Sequence, residues 1–110
     1  MTTETKRPVR VETPPIDIFE NADGFLLRAD MPGVPDSGLT VELDKGLLTL
    51  RGERPLSEDG ERFMAYRRRF HVPRDIDANQ VSAHFEHGVL QVTLPRSDAA
   101  KPRKIPVVVG

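Results

Sequence analysis

The sequence predicts an all-β protein, an antiparallel β-sandwich of seven to eight short strands. Ten prolines and eight glycines in 110 residues argue against long helices and favour short strands joined by turns. Apolar and polar residues alternate with a period of two in successive segments, and turn-forming residues separate these segments. A chain of this length forms one small domain, and with only five Phe and one Tyr its core should be thin.

Clear turn signals separate the predicted strands. A polar N-terminal arm, residues 1–13, lacks periodicity and is predicted to be disordered. Asn21-Ala22-Asp23-Gly24 reads as a hairpin turn in which Gly24 supplies a positive φ. Residues 32–38 hold too many prolines for a helix or a central strand. In chain order, the expected strands are 16–20, 25–31, 39–43, 47–51, 61–72, 81–86 and 89–94.

The segment 61–72 admits two interpretations. Its Arg, Met and Ala residues favour a helix. However, Met64, Tyr66 and Phe70 follow a period of two, and Pro73 closes the run. We therefore predict one long strand.

The β-sandwich is expected to span residues 14–95, followed by a flexible C-terminal extension, 96–110. Near its end stand Ile105-Pro106-Val107, where Pro106 fixes φ and removes a backbone donor. In an extended chain the side chains of Ile105 and Val107 point the same way. One interpretation is a frayed apolar terminus. The other, which we favour, is an anchor for a groove on another molecule.

Composition argues against several classes of partner. The net charge of -1 gives no reason to expect nucleic acid or an anionic membrane as the main partner. The absence of cysteine excludes disulfides, thiolate chemistry and Cys-bound zinc. No apolar run approaches the roughly 18 residues that span a bilayer, and residues 1–13 contain no signal-like stretch. The expectation is a soluble cytoplasmic protein.

No motif in the chain points to catalysis. The serines lack the strand–turn–helix context of a nucleophile elbow, and no glycine-rich loop opens a helix. His84 and His87 are three residues apart, but one lies on a strand and the other in the following turn. Their side chains are expected to diverge and not to hold a metal. We predict a binding protein, not an enzyme, with no cofactor and no metal.

The basic triplet Arg67-Arg68-Arg69 lies on the predicted long strand. Arg68 faces the opposite way from its two neighbours, so the triplet does not form one patch. Nucleic-acid binding would need interleaved aromatic residues and a net basic face. We expect these arginines to pair with carboxylates across an interface.

Residues 83–95 closely resemble the signature near the end of the α-crystallin domain of small heat-shock proteins. That signature is an Ala, here Ala83, a spacer, and then Gly88-Val89-Leu90 before an alternating strand. Further similarities keep the family's order over about residues 14–107. They are the opening strand (15–20), the next strand with its Pro-Gly loop (26–34), the strand at 47–54, the Arg-x-Phe-x-Leu-Pro element (68–73) and the C-terminal Ile-x-Ile/Val anchor (105–107).

This resemblance implies an immunoglobulin-like β-sandwich and an ATP-independent holdase chaperone of the stress response. The implied partners are partly unfolded client proteins and the chain itself, as a homodimer and in larger oligomers. One alternative is a CS-domain co-chaperone adaptor, which should lack both Gly88-Val89-Leu90 and the tail anchor. Another is a structural partner subunit with little activity of its own, which the short N-terminal arm without phenylalanine favours.

The resemblance also suggests where the chain contacts itself. The segment between Glu53 and Arg68 is short, as in metazoan crystallins, where one long strand pairs with its twin across a two-fold axis. The expected dimer interface contains Met64, Tyr66, Arg67, Arg68 and Arg69. A groove for the anchor or for a client is expected between strands 39–43 and 89–94, lined by Leu39, Val41, Leu43, Val89, Leu90 and Val92. Its occupant would be Ile105, Pro106 and Val107 of a neighbouring subunit.

Overall fold

Two four-stranded β-sheets pack face to face in the computed structural model, which describes residues 6–110. The β-sandwich expected from the sequence is confirmed. Short 3-10 turns lie at Asp36–Gly38, Ala78–Gln80 and Asp98–Ala100. The strands are β1 (Val11–Glu12), β2 (Ile16–Asn21), β3 (Gly24–Asp30), β4 (Leu39–Asp44), β5 (Leu47–Pro55), β6 (Phe63–His71), β7 (Ser82–Glu86) and β8 (Val89–Pro95).

The order of strands within each sheet decides which edges are open. One sheet runs β1-β6-β5-β4 and the other β2-β3-β8-β7. Every pairing is antiparallel except that of β1 with β6. A cleft joins Ile18 on β2 and Leu27 on β3 to Phe70 on β6, so β2 lies beneath the β6 side of the sandwich. Consequently β4 and β7 are the two edge strands at the opposite side.

The core lies between the sheets and follows from the period-two alternation. On β5, Leu48 and Leu50 are fully buried, whereas the residues between and beside them face outward. Met31 at the end of β3 and Leu90 on β8 are also fully buried. Burying each such side chain contributes about 1.5–3 kcal/mol. Among residues 6–110, no helix has the length and apolarity that a membrane span requires.

Strand β1 lies inside the arm for which the sequence predicts disorder, so that expectation is wrong at Val11 and Glu12. They pair in parallel with Ala65 and Tyr66 of β6. Only backbone groups are needed for such pairing, so the polar sequence of the arm does not reveal it. Residues 1–5 of the predicted arm lie outside the described residues.

Replacing Gly24 with alanine should destabilise the fold strongly. Gly24 has φ +147°, and a Cβ there would stand 2.1 Å from the carbonyl oxygen of Leu94 on the neighbouring strand. Backbone strain and overpacking together should lower the unfolding free energy by about 2–5 kcal/mol. Gly60 is a matched control, because it has φ +72° but no neighbour within 4 Å of the added Cβ. Urea unfolding should show a much larger loss for Gly24→Ala than for Gly60→Ala; equal losses would contradict the packing argument.

Candidate peptide groove and strand edge

The edge strands β4 and β7 lie at the same side of the sandwich, one in each sheet, and partly buried apolar side chains line this side. Leu39, Val41 and Leu43 are partly buried and turned toward the core, whereas the residues that alternate with them are exposed. Across the gap, Val81 and Phe85 are partly buried against the same core. Within residues 6–110, no strand pairs with the outer edge of β4 or β7. These apolar side chains, between two free backbone edges, form the candidate groove.

The second wall of this groove differs from the one expected from the sequence. The structure places β8 between β3 and β7, so β8 has no free edge. Leu90 and Val92 are fully buried in the core, and the expectation that they line an open groove is wrong. Val89 is partly buried and lies between Asp30 and Glu86 in the sheet. The strand that faces β4 is β7, which the sequence predicts as a strand but does not place.

The C-terminal anchor residues are exposed in their own chain. The side chain of Ile105 is 82% exposed and that of Val107 is 81% exposed. Pro106 between them is exposed as well, and residues 102–110 have no regular secondary structure. In an extended conformation this segment carries two apolar side chains on one face.

The root of the extension is held to the sandwich by Arg96, a residue that the sequence does not single out. Its Nη2 lies 2.6 Å from Oε2 of Glu20, and its Nε lies 3.1 Å from Oδ2 of Asp75. The guanidinium also stands 5.1 Å from the ring centroid of Phe25 and donates to the carbonyl of Asn21. Its hydrogen bond to Glu20, followed by that to Asp75, raises the pKa of Arg96. The extension therefore leaves the fold from a fixed point.

The exposed edge of β6 contains only part of the expected dimer interface. Met64 is fully buried and Tyr66 nearly so, because both side chains face the core of their own chain. Met64 and Tyr66 can therefore join a dimer interface only through their backbone groups, and that interface stays a prediction. Arg67, Arg68 and Arg69 are exposed and form no ion pair with another described residue.

Alternation along β6 turns Arg67 and Arg69 to one face of the sheet and Arg68 to the other. The Arg68 guanidinium lies 5.0 Å from the ring centroid of Phe70 on its own strand. Arg67 faces Arg51 across the sheet, and Arg51 is paired with Glu53 at 3.2 Å. Carboxylates from another molecule would therefore meet unpaired guanidinium groups here.

The turn Glu86-His87-Gly88 carries the motif that the sequence singles out. Gly88 has φ +76°, and its carbonyl accepts a 2.7 Å hydrogen bond from the backbone N–H of Met31. Ala83 lies on the exposed strand β7, opposite Val92. Ala83 thus lies on the edge strand β7, Gly88 in the turn that follows it, and Val89 and Leu90 on the inner strand β8.

The histidines near this turn do not diverge as the sequence predicts. His84 Nε2 lies 3.1 Å from Oε2 of Glu86, and His87 Nδ1 lies 3.7 Å from Oε1 of the same carboxylate. All three side chains are largely exposed. Over the described range, 6–110, no three His, Cys, Asp or Glu side chains are arranged to hold a metal ion.

Comparison with known proteins gives one consistent family. Residues 17–108 match the model of the Hsp20/alpha crystallin family. The chain is 32% identical over 110 residues to the 18 kDa antigen 2 of Mycobacterium avium, an alignment that covers 94% of this chain and 78% of that protein. It is also 32% identical over 103 residues to heat shock protein 16 of Schizosaccharomyces pombe, covering 84% of this chain and 72% of the relative.

Solved structures agree with the sequence comparison. A small heat-shock protein from Xylella fastidiosa, described as having a distinct high order structure, superposes with a TM-score of 0.69 at 34% identity. The superposition covers 88% of this chain and 97% of that one. Members of this family are ATP-independent chaperones and not enzymes. With the family match spanning most of the β-sandwich and the anchor at Ile105–Val107, the chain belongs to the Hsp20/alpha crystallin family, the small heat-shock proteins.

Proposed function

We propose that this chain is an ATP-independent holdase, which binds partly unfolded proteins and delays their aggregation. The observation that carries the proposal is the apolar groove between β4 and β7, with two free strand edges beside it. Partly unfolded proteins expose extended apolar segments with unpaired backbone groups. Such a segment can add to a strand edge and place alternate side chains in the groove. This binding needs no nucleotide.

We propose that the same groove holds Ile105 and Val107 of a neighbouring subunit. Burying both side chains contributes about 3–6 kcal/mol. Ordering the tail costs about 1–2 kcal/mol for each residue that becomes fixed. One docked tail is therefore weakly bound and exchanges readily, and an assembly larger than a dimer needs many tails at once.

We propose that the dimer forms along β6, around a two-fold axis near Tyr66. The unpaired Arg67 and Arg69 support this proposal, because the two-fold axis brings the loop before β6 of the second copy, with its acidic residues Glu58, Asp59 and Glu61, toward the Arg69 end of the strand. Single cysteines near Tyr66 should then crosslink rapidly between subunits. Crosslinks between residues 54–60 and β2 would indicate a dimer with an exchanged loop instead.

The family match over residues 17–108 removes the CS-domain alternative, but a structural partner subunit with little holdase activity fits the same fold. Light scattering of a heat-aggregating client separates these functions. Without nucleotide, the full-length protein should suppress the scattering in proportion to its subunit concentration. If a several-fold molar excess suppresses nothing, the holdase proposal fails and the partner-subunit function takes its place.

A further inference from the structure

The N-terminal part of the β6 edge is already covered by the chain's own N-terminal segment, residues 6–12. The backbone N–H of Val9 donates to the carbonyl of Phe63 at 2.8 Å. The N–H of Ala65 donates to the carbonyl of Arg10 at 3.1 Å. The parallel pairing continues through Val11 and ends where Glu12 lies beside Tyr66.

The C-terminal part of the same edge, residues 67–71, is open. Backbone groups alternate in direction along a strand, and Phe63 and Ala65 direct theirs toward the N-terminal segment. Arg67, Arg69 and His71 share that parity, so their N–H and C=O groups face the same edge. No strand within residues 6–110 pairs with β6 on this side beyond Tyr66.

The open part alone makes a poor two-fold contact. An antiparallel pairing confined to residues 67–71 is centred on Arg69. It places the guanidinium of Arg69 directly opposite Arg69 of the second copy. Like charges directly opposite each other destabilise a sheet. A second copy therefore gains little from this part of the edge.

A longer pairing centred on Tyr66 removes this repulsion. It places Arg67 opposite Ala65 of the second copy and Arg69 opposite Phe63, and it brings Glu61 opposite His71. However, it requires the backbone edge from Phe63 to Tyr66, which the N-terminal segment covers. The pairing of β6 with a second copy and its pairing with the N-terminal segment therefore exclude each other.

We propose that the N-terminal segment and a second copy of this chain compete for one edge of β6, so that dimerisation requires release of residues 6–12. This inference rests on the dimer edge given under the proposed function. The segment is held lightly enough to be released: the side chains of Val9 and Val11 are 50% and 47% exposed. Its ion pair, Lys6 Nζ to Glu61 Oε1 at 2.8 Å, joins two exposed side chains.

The N-terminal segment must leave β6 in both copies. The dimer dissociation constant therefore varies with the square of the equilibrium constant for closing this segment onto β6. Val9→Pro deletes the N–H that donates to Phe63 and should weaken closing about fivefold. The dissociation constant should then fall by up to about 25-fold. Thr13→Pro is the matched control, because it adds proline beside the same segment but beyond Glu12, where the pairing with β6 ends. Sedimentation velocity measures the dissociation constants of the two proline variants, each in a full-length protein that also carries Ile105→Gly and Val107→Gly.

A reversible lock tests the opposite direction. The chain has no cysteine, and Val11 and Ala65 are direct neighbours across β1 and β6. In Val11→Cys/Ala65→Cys, an intramolecular disulfide should hold the segment closed and keep the protein monomeric. Reduction of the same sample should restore the dimer, and a non-reducing gel distinguishes the intramolecular bridge from an intermolecular one.

Two results overturn the inference, and they differ in what they leave standing. If the locked protein dimerises as well as the reduced protein, and cysteines near Tyr66 still crosslink between subunits, competition fails but the β6 dimer stands. If Val9→Pro leaves the dissociation constant unchanged and no crosslinks form near Tyr66, both the competition and the β6 dimer fail. Client suppression, measured separately, bears on neither result.

Discussion

Replacing Ile105 and Val107 with glycine is expected to reduce any assembly larger than a dimer to dimers. The substitutions remove the two side chains that would fill the groove between β4 and β7, and with them about 3–6 kcal/mol for each docked tail. Because many tails act together, the loss for the whole assembly is far larger than for one contact. Size-exclusion chromatography with multi-angle light scattering gives the mass directly.

The neighbouring residues provide a matched control for this experiment. Val108 and Val109 are 95% and 91% exposed and lie outside the anchor. Val108→Gly/Val109→Gly removes as many apolar side chains from the same segment but should leave the assembly intact. If the anchor variant keeps its full mass, or if both double variants lose it equally, the anchor has no specific role.

Deleting residues 104–110 is expected to maintain or raise the suppression of client aggregation per subunit while reducing the oligomer mass. The physical reason is competition, since the tail and the client would bind the same groove and the same strand edges. Removing one competitor frees sites for the other. Light scattering of a heat-aggregating client, at matched subunit concentration and without nucleotide, gives the comparison.

A change within the groove should separate client binding from assembly. Val41→Thr keeps the shape of a partly buried groove residue but replaces one of its methyl groups with a hydroxyl. In the truncated protein it should lower client suppression, whereas Thr40→Val on the outward face of the same strand should not. For the deletion of residues 104–110 itself, a complete loss of client suppression would show that clients need the tail and do not compete with it.

The fold is predictable from this sequence because its signals are local. Alternation places Leu48 and Leu50 in the core, and the strands expected from alternation and turns are all present. The parallel strand β1 is not predictable in this way. It depends on backbone groups that β6 offers more than fifty residues later, and the side chains of Val11 and Glu12 remain exposed.

The groove is predictable only in part, because alternation shows which way a side chain points but not what covers it. Val41 on β4 and Leu90 on β8 follow the same inward pattern, yet one is partly buried at an edge and the other is fully buried between two strands. Sheet order decides the difference. Arg96 illustrates the same limit, since its partners Glu20 and Asp75 are 76 and 21 positions away in the chain.

A crosslinking measurement tests most directly whether the tail of one subunit lies between β4 and β7 of another. One population carries Val108→Cys beside an intact anchor, and a second carries Ala83→Cys on the groove-facing side of β7, the side that Phe85 shares. A third carries Ile18→Cys at the apolar cleft on the opposite side of the sandwich. After subunit exchange and a short thiol-reactive crosslinker, we expect the tail to crosslink to position 83 and not to position 18, and the yield to collapse when Ile105 and Val107 are glycine. Equal or preferential crosslinking to position 18, or a yield that does not depend on the anchor, would contradict the assignment of the groove.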